Sequence, residues 1–221
     1  AMSDPDGASR RYIRDVEQHN PWWEHRTDEL DRVTELAARS DLVKFLDQLD
    51  AVYRADSPER RMFGIYGQTG IGKTTLLEQF VASVLDDDVY DYTPGEATAD
   101  LVGSVPPSQV LYVPLEESLY HLESGDDALR QLERVVDYFR SRIARTNQRQ
   151  LVLLDDVGAL DIDFDRDGER LLDLVAEDTF LVLTGTTEAE VSFAEGTGLG
   201  SSVTPMLPMK FADYLEYRDA E

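Results

Sequence analysis

The sequence predicts an α/β fold in which a parallel sheet of about five strands carries helices on both faces. Short apolar segments alternate along the chain with longer segments of helical periodicity, as in consecutive βαβ units. Residues 150–154 are apolar almost throughout, which is typical of a parallel strand buried on both faces. A glycine-rich loop over residues 67–74 joins the first predicted strand to a predicted helix. Together these features predict three layers, with helices on either side of the sheet.

The elements can be assigned in chain order from their apolar patterns. The predicted strands are Met62–Tyr66, Val110–Leu115, Gln150–Leu154, Phe180–Thr184 and Val203–Leu207. The predicted helices are two stretches before residue 55, Thr75–Leu85, a long one from Asp126 to Ile143, and Glu169–Ala176. We expect residues before Tyr12 to form a loose tail and residues 86–107 to form a long polar connection. One domain results, with a helical N-terminal extension (1–55) packed on a core (56–221).

The composition of the chain excludes several classes of function. The net charge is −24, from 21 Lys and Arg against 45 Asp and Glu, and no basic stripe predicts a nucleic-acid surface. In molar salt the Debye length falls to about 3 Å, so a halophile's cytoplasm explains the acid excess. The chain has no cysteine for a thiolate metal site, no apolar run of membrane-spanning length and no signal-peptide pattern. We therefore expect a cytoplasmic protein.

The loop after the first strand has the pattern G-x-x-x-x-G-K-T, which is a phosphate-binding loop. Its glycines allow a sharp turn that points backbone N–H groups at a phosphate chain. Lys73 supplies a charge for the β- and γ-phosphates, and Thr74 offers a hydroxyl to Mg²⁺. The predicted nucleotide-binding residues are Gly67, Gln68, Thr69, Gly70, Ile71, Gly72, Lys73, Thr74 and Thr75. Because strand, loop and helix occur in the required order, the sequence predicts a P-loop NTPase that binds ATP with Mg²⁺.

A second acidic motif follows the third predicted strand. Four apolar residues, Leu151–Leu154, precede Asp155 and Asp156, as in a Walker B strand. Buried in the sheet, this strand delivers Asp155 to the edge where the phosphate loop lies, so that its carboxylate can orient Mg²⁺. Thr74 and Asp155 are therefore the predicted metal-site residues.

Lys73, Asp156 and Thr184 are the predicted catalytic residues. Asp156 can position or activate the attacking water, although its stem is one methylene shorter than that of glutamate. Thr184, after the fourth strand, is predicted to sense the γ-phosphate, with Thr186 as the second choice. Glu116 and Glu117 are alternative bases, and an ordinary hydroxyl-rich turn is the alternative for Thr184.

Two other patterns have a structural alternative. Residues 163–168 match the first half of an EF-hand loop, but Leu174 stands where a bidentate glutamate is required. We therefore expect an acidic loop without calcium there. Trp22 and Trp23 could stack on adenine, but burial against the domain is the commoner fate of tryptophan.

The flanking motifs resemble a group of prokaryotic, and more narrowly haloarchaeal, AAA-type ATPases. Tyr12–Arg14 and Asn20–Trp23 stand before the phosphate loop, Thr184–Thr186 follows the fourth strand, and Leu207–Leu215 closes the chain. The resemblance covers nearly the whole chain. It implies an AAA-type core that holds ATP and Mg²⁺ on Lys73, Thr74 and Asp155. It also implies a C-terminal winged-helix or nuclease-like domain, which we expect to be absent from this chain.

Two departures from the family pattern concern hydrolysis. The family usually has Asp-Glu where this chain has Asp155 and Asp156, and no Arg or Lys occurs between Thr186 and Pro208. An arginine finger must then come from self-association or from a partner protein. We expect an ATPase that is slow in isolation; the alternative is a nucleotide-dependent switch with little hydrolysis. A P-loop kinase is disfavoured because the basic-poor stretch leaves no arginine-rich lid.

Overall fold

The computed structural model describes residues 13–24, 30–36, 38, 40–86, 101–115, 126–174, 178–193 and 201–208. Four predicted features lie outside these residues: the N-terminal tail, most of the 86–107 connection, the alternative bases Glu116 and Glu117, and the closing segment beyond Pro208. The fold below is built from the described part of the chain.

Five parallel strands form a single sheet, as the sequence predicts. They are β1 (Met62–Tyr66), β2 (Val110–Pro114), β3 (Gln150–Asp155), β4 (Thr179–Gly185) and β5 (Ser201–Pro205). Their order across the sheet is β2-β3-β4-β1-β5, so β4 separates the phosphate-loop strand from the strand that ends in Asp155. The connection from β1 leads to β2 at one edge of the sheet, and the connection from β4 leads to β5 at the other edge. A crevice at the carboxyl ends of such strands is where open α/β sheets bind ligands.

The helices lie on both faces of this sheet. They are α1 (residues 13–19), α2 (Asp31–Thr34), α3 (Ser40–Tyr53), α4 (Lys73–Leu85), α5 (Asp126–Tyr138), α6 (Phe164–Leu172) and α7 (Glu188–Ser192). A 3₁₀ turn at Pro21–Glu24 follows α1, and a π-helical turn at Phe139–Ile143 extends α5. In the described residues no helix is both long enough and apolar enough to cross a bilayer.

Alternate residues of the strands supply two apolar cores. On one face, α3 and α4 pack through Phe45 and Phe80 onto Phe63 and Leu153. On the other face, α5, α6 and α7 pack on the alternate strand residues that point away from the first core, such as Val152. Because side chains alternate across a strand, a strand covered on both faces is apolar throughout, as β3 and β4 are. The predicted three-layer α/β class is confirmed, and the N-terminal helix α3 contributes to one of the cores.

Several predicted element boundaries were wrong. The helix expected at Glu169–Ala176 begins at Phe164, because Asp163 caps it by accepting hydrogen bonds from the N–H groups of Asp165 and Arg166. The carboxylate that suggested a calcium loop is thus a helix N-cap, and no metal-binding cluster of acidic or histidine residues occurs in the described part. The fifth strand begins two residues earlier than expected, at Ser201.

Candidate active site

The phosphate loop turns between β1 and α4 as its sequence predicts. Gly70 and Gly72 have φ of 79° and 102°, in the left-handed region that favours glycine, and Gly72 is the N-cap of α4. The first backbone N–H groups of a helix have no acceptor within it, so those of α4 face the loop as donors for an anion. The Lys73 ammonium lies over the loop and donates to the carbonyl oxygens of Gly67 (2.5 Å) and Gln68 (2.9 Å). A phosphate chain within the loop would therefore meet both the N–H groups and this cation.

The carboxylate of Asp155 is buried, with 5% of the residue exposed, and three hydroxyl groups donate to it. Thr184 Oγ1 donates to Oδ1 at 2.5 Å. Thr74 Oγ1 and Tyr112 Oη donate to Oδ2 at 2.6 and 2.9 Å. These hydrogen bonds offset the hydration that the charge loses on burial. The predicted metal-site residues Thr74 and Asp155 are thus in direct contact.

Thr74 and Asp155 suit a hard divalent cation. A hydroxyl has one proton and two lone pairs, so Thr74 can donate to Asp155 while a lone pair faces a metal ion. Mg²⁺ prefers oxygen ligands and is commonly held by one or two protein oxygens together with substrate phosphates. The chemistry of this donor pair, beside a phosphate loop, fits Mg²⁺.

Thr184, the predicted γ-phosphate sensor, lies directly against Asp155 and Asp156. It is fully buried, and its hydroxyl donates to Asp155 and accepts the backbone N–H of Asp156 at 2.8 Å. Thr186 lines the cleft instead, and it is exposed. The backbone N–H groups of Thr186 and Thr187 donate to Glu190 Oε1, which holds this turn at the start of α7.

Asp156 lies beside Asp155 on the wall of the cleft and has an unusual backbone. Its φ of 61° and ψ of 64° are in the left-handed region, where aspartate is commoner than most other non-glycine residues. The conformation gives a local reason for aspartate, rather than glutamate, at this position. Asp156 is half-buried and lines the cleft.

The site residues enclose a cleft of about 310 Å³ at the carboxyl ends of the strands. It is lined by Thr69, Gly70, Gly72, Lys73, Thr74, Thr75, Tyr112, Pro114, Asp155, Asp156 and Thr186. This volume lies within the range of small-molecule sites. Of the described lining residues one is cationic, Lys73, against the two carboxylates. The negative charge of the two carboxylates exceeds the positive charge of Lys73, which favours binding of a further cation, such as a metal ion.

Tyr112 was missed by the sequence reasoning. It lies in the middle of β2, where the sequence pattern does not distinguish it from the apolar residues around it. Only the pairing of β2 with β3 brings its hydroxyl to Asp155. Trp22 and Trp23 do not line this cleft. Both donate from Nε1 to the carbonyl oxygen of Val110, and Trp22 is buried.

The parallel sheet, the phosphate loop between β1 and α4, and the acidic end of β3 together form an α/β P-loop NTPase fold. No family model matches the chain, and no curated protein matches it. The chain resembles parts of solved structures, among them the DNA complex of the Orc1 protein of Aeropyrum pernix, with 20% identity over 88% of this chain and 48% of that one (TM-score 0.45). The Hsp104–ADP complex of S. cerevisiae is also similar, with 14% identity over 85% of this chain and 26% of that one (TM-score 0.49). So is C. elegans PCH-2, with 15% identity over 85% of this chain and 48% of that one (TM-score 0.46). The chain spans about half or less of each of these proteins.

The positions of Thr184 and Thr186 lead to a stability prediction. Thr184→Val removes a donor from the buried carboxylate of Asp155 and an acceptor from the N–H of Asp156. We expect a loss of about 1–3 kcal/mol in the free energy of unfolding, measured by urea denaturation in molar KCl. Thr186→Val, on the exposed wall, should change it by less than about 0.5 kcal/mol. Equal effects of the two variants would contradict the assigned roles.

Proposed function

We propose that this chain is the ATP-binding domain of an AAA-type ATPase that hydrolyses ATP with Mg²⁺, slowly when it is alone. One observation carries the proposal: the phosphate loop, the Thr74 hydroxyl and the buried Asp155 carboxylate meet in one cleft. The AAA-type assignment rests in addition on the sequence motifs that flank the loop. A haloarchaeal origin, which the acid excess supports, belongs to the same proposal.

The residues of the cleft have different roles in the binding and hydrolysis of ATP. The loop N–H groups and Lys73 bind the phosphates, while Thr74 and Asp155 would hold Mg²⁺, which supplies positive charge to the phosphate oxygens when bound. Asp156 holds the attacking water and can accept its proton, and Thr186 is within the cleft for a contact with the γ-phosphate. Thr184 acts on the site by fixing the carboxylate of Asp155.

Hydrolysis should be slow because the cleft is short of positive charge. Lys73 is the one cation among its described lining residues. An arginine finger accelerates related phosphoryl transfers by roughly 10³–10⁵-fold. We infer that a second copy of this chain or a partner protein supplies one, so that turnover per molecule rises with protein concentration or with the partner.

Nucleotide binding is tested at Lys73. Lys73→Ala removes the loop cation and should abolish ATP binding measured by calorimetry in molar KCl, the salt that screens the net charge of −24. Arg60→Ala is the control, because this exposed cation precedes β1 at the opposite end of the strand from the loop. Unchanged ATP binding by Lys73→Ala would refute the proposed binding site.

Hydrolysis is tested at Asp156. If Asp156 activates water, Asp156→Asn should lower the rate of phosphate release by about 10²-fold or more while ATP binding persists. Asp161→Asn is a matched control, since Asp161 is another left-handed aspartate after β3 but is exposed outside the cleft. Fast turnover by dilute wild-type protein, unchanged in Asp156→Asn, would contradict both the slow rate and the role of Asp156.

The shortage of positive charge in the cleft also favours a second candidate, a nucleotide-dependent switch in which binding rather than hydrolysis carries the function. In that case ATP and ADP give different oligomeric states in sedimentation experiments, with no phosphate released. Release of phosphate at a rate that depends on Asp156 would instead support the ATPase.

A further inference from the structure

The strand order leaves β2 at an edge of the sheet, where a segment from far away in the sequence covers it. Backbone N–H and C=O groups of an edge strand lack a neighbouring strand. Here the N–H of Tyr112 donates to Asn20 Oδ1 at 2.7 Å, and Asn20 Nδ2 donates to the Tyr112 carbonyl at 2.9 Å. The side-chain amide of Asn20 thus pairs with Tyr112 as a peptide group of an adjacent strand would.

The two tryptophans complete this cover. Trp22 Nε1 and Trp23 Nε1 both donate to the carbonyl oxygen of Val110, at 3.1 and 2.8 Å. Trp22 is buried in the core on the α4 side, and Trp23 stacks on Phe139 with ring centroids 5.7 Å apart. We call residues Asn20–Trp23 the edge clamp. The clamp fixes the position of β2 by hydrogen bonds and by packing on both sides of the edge.

The residue that the clamp holds by its backbone also reaches the metal-site carboxylate by its side chain. Tyr112 is 7% exposed, and its hydroxyl donates to Asp155 Oδ2 at 2.9 Å. Its ring lines both the cleft and a second cavity of about 150 Å³ beside Trp22. A continuous series of contacts therefore runs from Asn20 through Tyr112 to Asp155.

We propose that Tyr112 is a positioning residue for the metal-site carboxylate of Asp155 and that the edge clamp holds Tyr112 in place for this purpose. The inference rests on the proposed function, in which Thr74 and Asp155 hold Mg²⁺. Thr184 orients one carboxylate oxygen and Tyr112 the other, while the Thr74 hydroxyl would offer a lone pair to the metal. Partners of this kind commonly contribute about 10- to 100-fold to metal affinity.

The test is a Mg²⁺ titration of the complex with a fluorescent ADP analogue. Tyr112→Phe should weaken the apparent Mg²⁺ affinity by about tenfold or more. The affinity for the analogue without Mg²⁺ should stay unchanged, because the phosphate loop is intact. Asn20→Ala should weaken Mg²⁺ affinity in the same direction, with little further loss in the double variant, since both residues act on one carboxylate.

Tyr138→Phe is the matched control. The Tyr138 hydroxyl also donates to a carboxylate, Glu17 Oε1 at 2.8 Å, and also ties the N-terminal region to the core, but it does not contact Asp155. Burial, together with the Glu17 carboxylate, raises the pKa of Tyr138 to about 12, so this donor is protonated throughout the assay range. The Mg²⁺ affinity of Tyr138→Phe should equal that of the wild type.

The outcomes separate the inference from the proposed function. If wild-type protein binds the analogue with no contribution from Mg²⁺, the proposed metal site fails and the inference fails with it. If Mg²⁺ tightens binding equally in the wild type and in Tyr112→Phe, the metal site stands and the positioning role of Tyr112 is refuted. An equal loss in Tyr138→Phe would assign the effect to the N-terminal region in general and would also refute it.

Discussion

The buried carboxylate of Asp155 is the group on which the organisation of the cleft depends. A charge at this depth is costly unless hydrogen bonds replace its hydration. Three hydroxyls, from Thr74, Tyr112 and Thr184, do so, and each comes from a different element. The carboxylate therefore fixes the start of α4, the middle of β2 and the end of β4 relative to β3. The same bonds that make its burial tolerable also fix its orientation, which in the proposed function serves to hold a metal ion.

The strand order makes this arrangement possible. β4 lies between β1 and β3, so Thr184 is beside the phosphate-loop strand and beside Asp155 at once. β2 lies on the other side of β3 and brings the Tyr112 hydroxyl to the other oxygen of the same carboxylate. Its outer edge is covered by the N-terminal segment rather than by another strand. The N-terminal segment therefore contributes to the support of the cleft as well as to the core.

The sequence was most informative where function depends on residues close together in the chain. The phosphate loop, the apolar strand before Asp155 and the alternation of strands and helices all predicted what the structure contains. The missed features depend on pairs far apart: Asn20 and Tyr112 are separated by 92 residues, and Tyr112 and Asp155 by 43. Their contacts follow from strand order and register, which local patterns do not specify.

Thr184 and Asp163 show how the partner of a polar side chain depends on the fold. A hydroxyl near the end of a strand can face the cleft or the neighbouring strand. Because β4 pairs with β3, the Thr184 hydroxyl donates to Asp155. At Asp163 a carboxylate that suggested a calcium loop serves the backbone of α6 instead, because both roles favour aspartate at the start of a turn. In both cases the spacing of residues in the sequence does not specify which group the side chain contacts.

The most direct test of the central claim is a calorimetric titration of ADP with and without Mg²⁺, on wild-type protein and on Asp155→Asn, in molar KCl. If the carboxylate is the metal-site group, Mg²⁺ tightens ADP binding by the wild type. Asp155→Asn then keeps the Mg²⁺-free affinity and loses most of that gain, by about tenfold or more. The same gain with Mg²⁺ in both proteins would contradict the account.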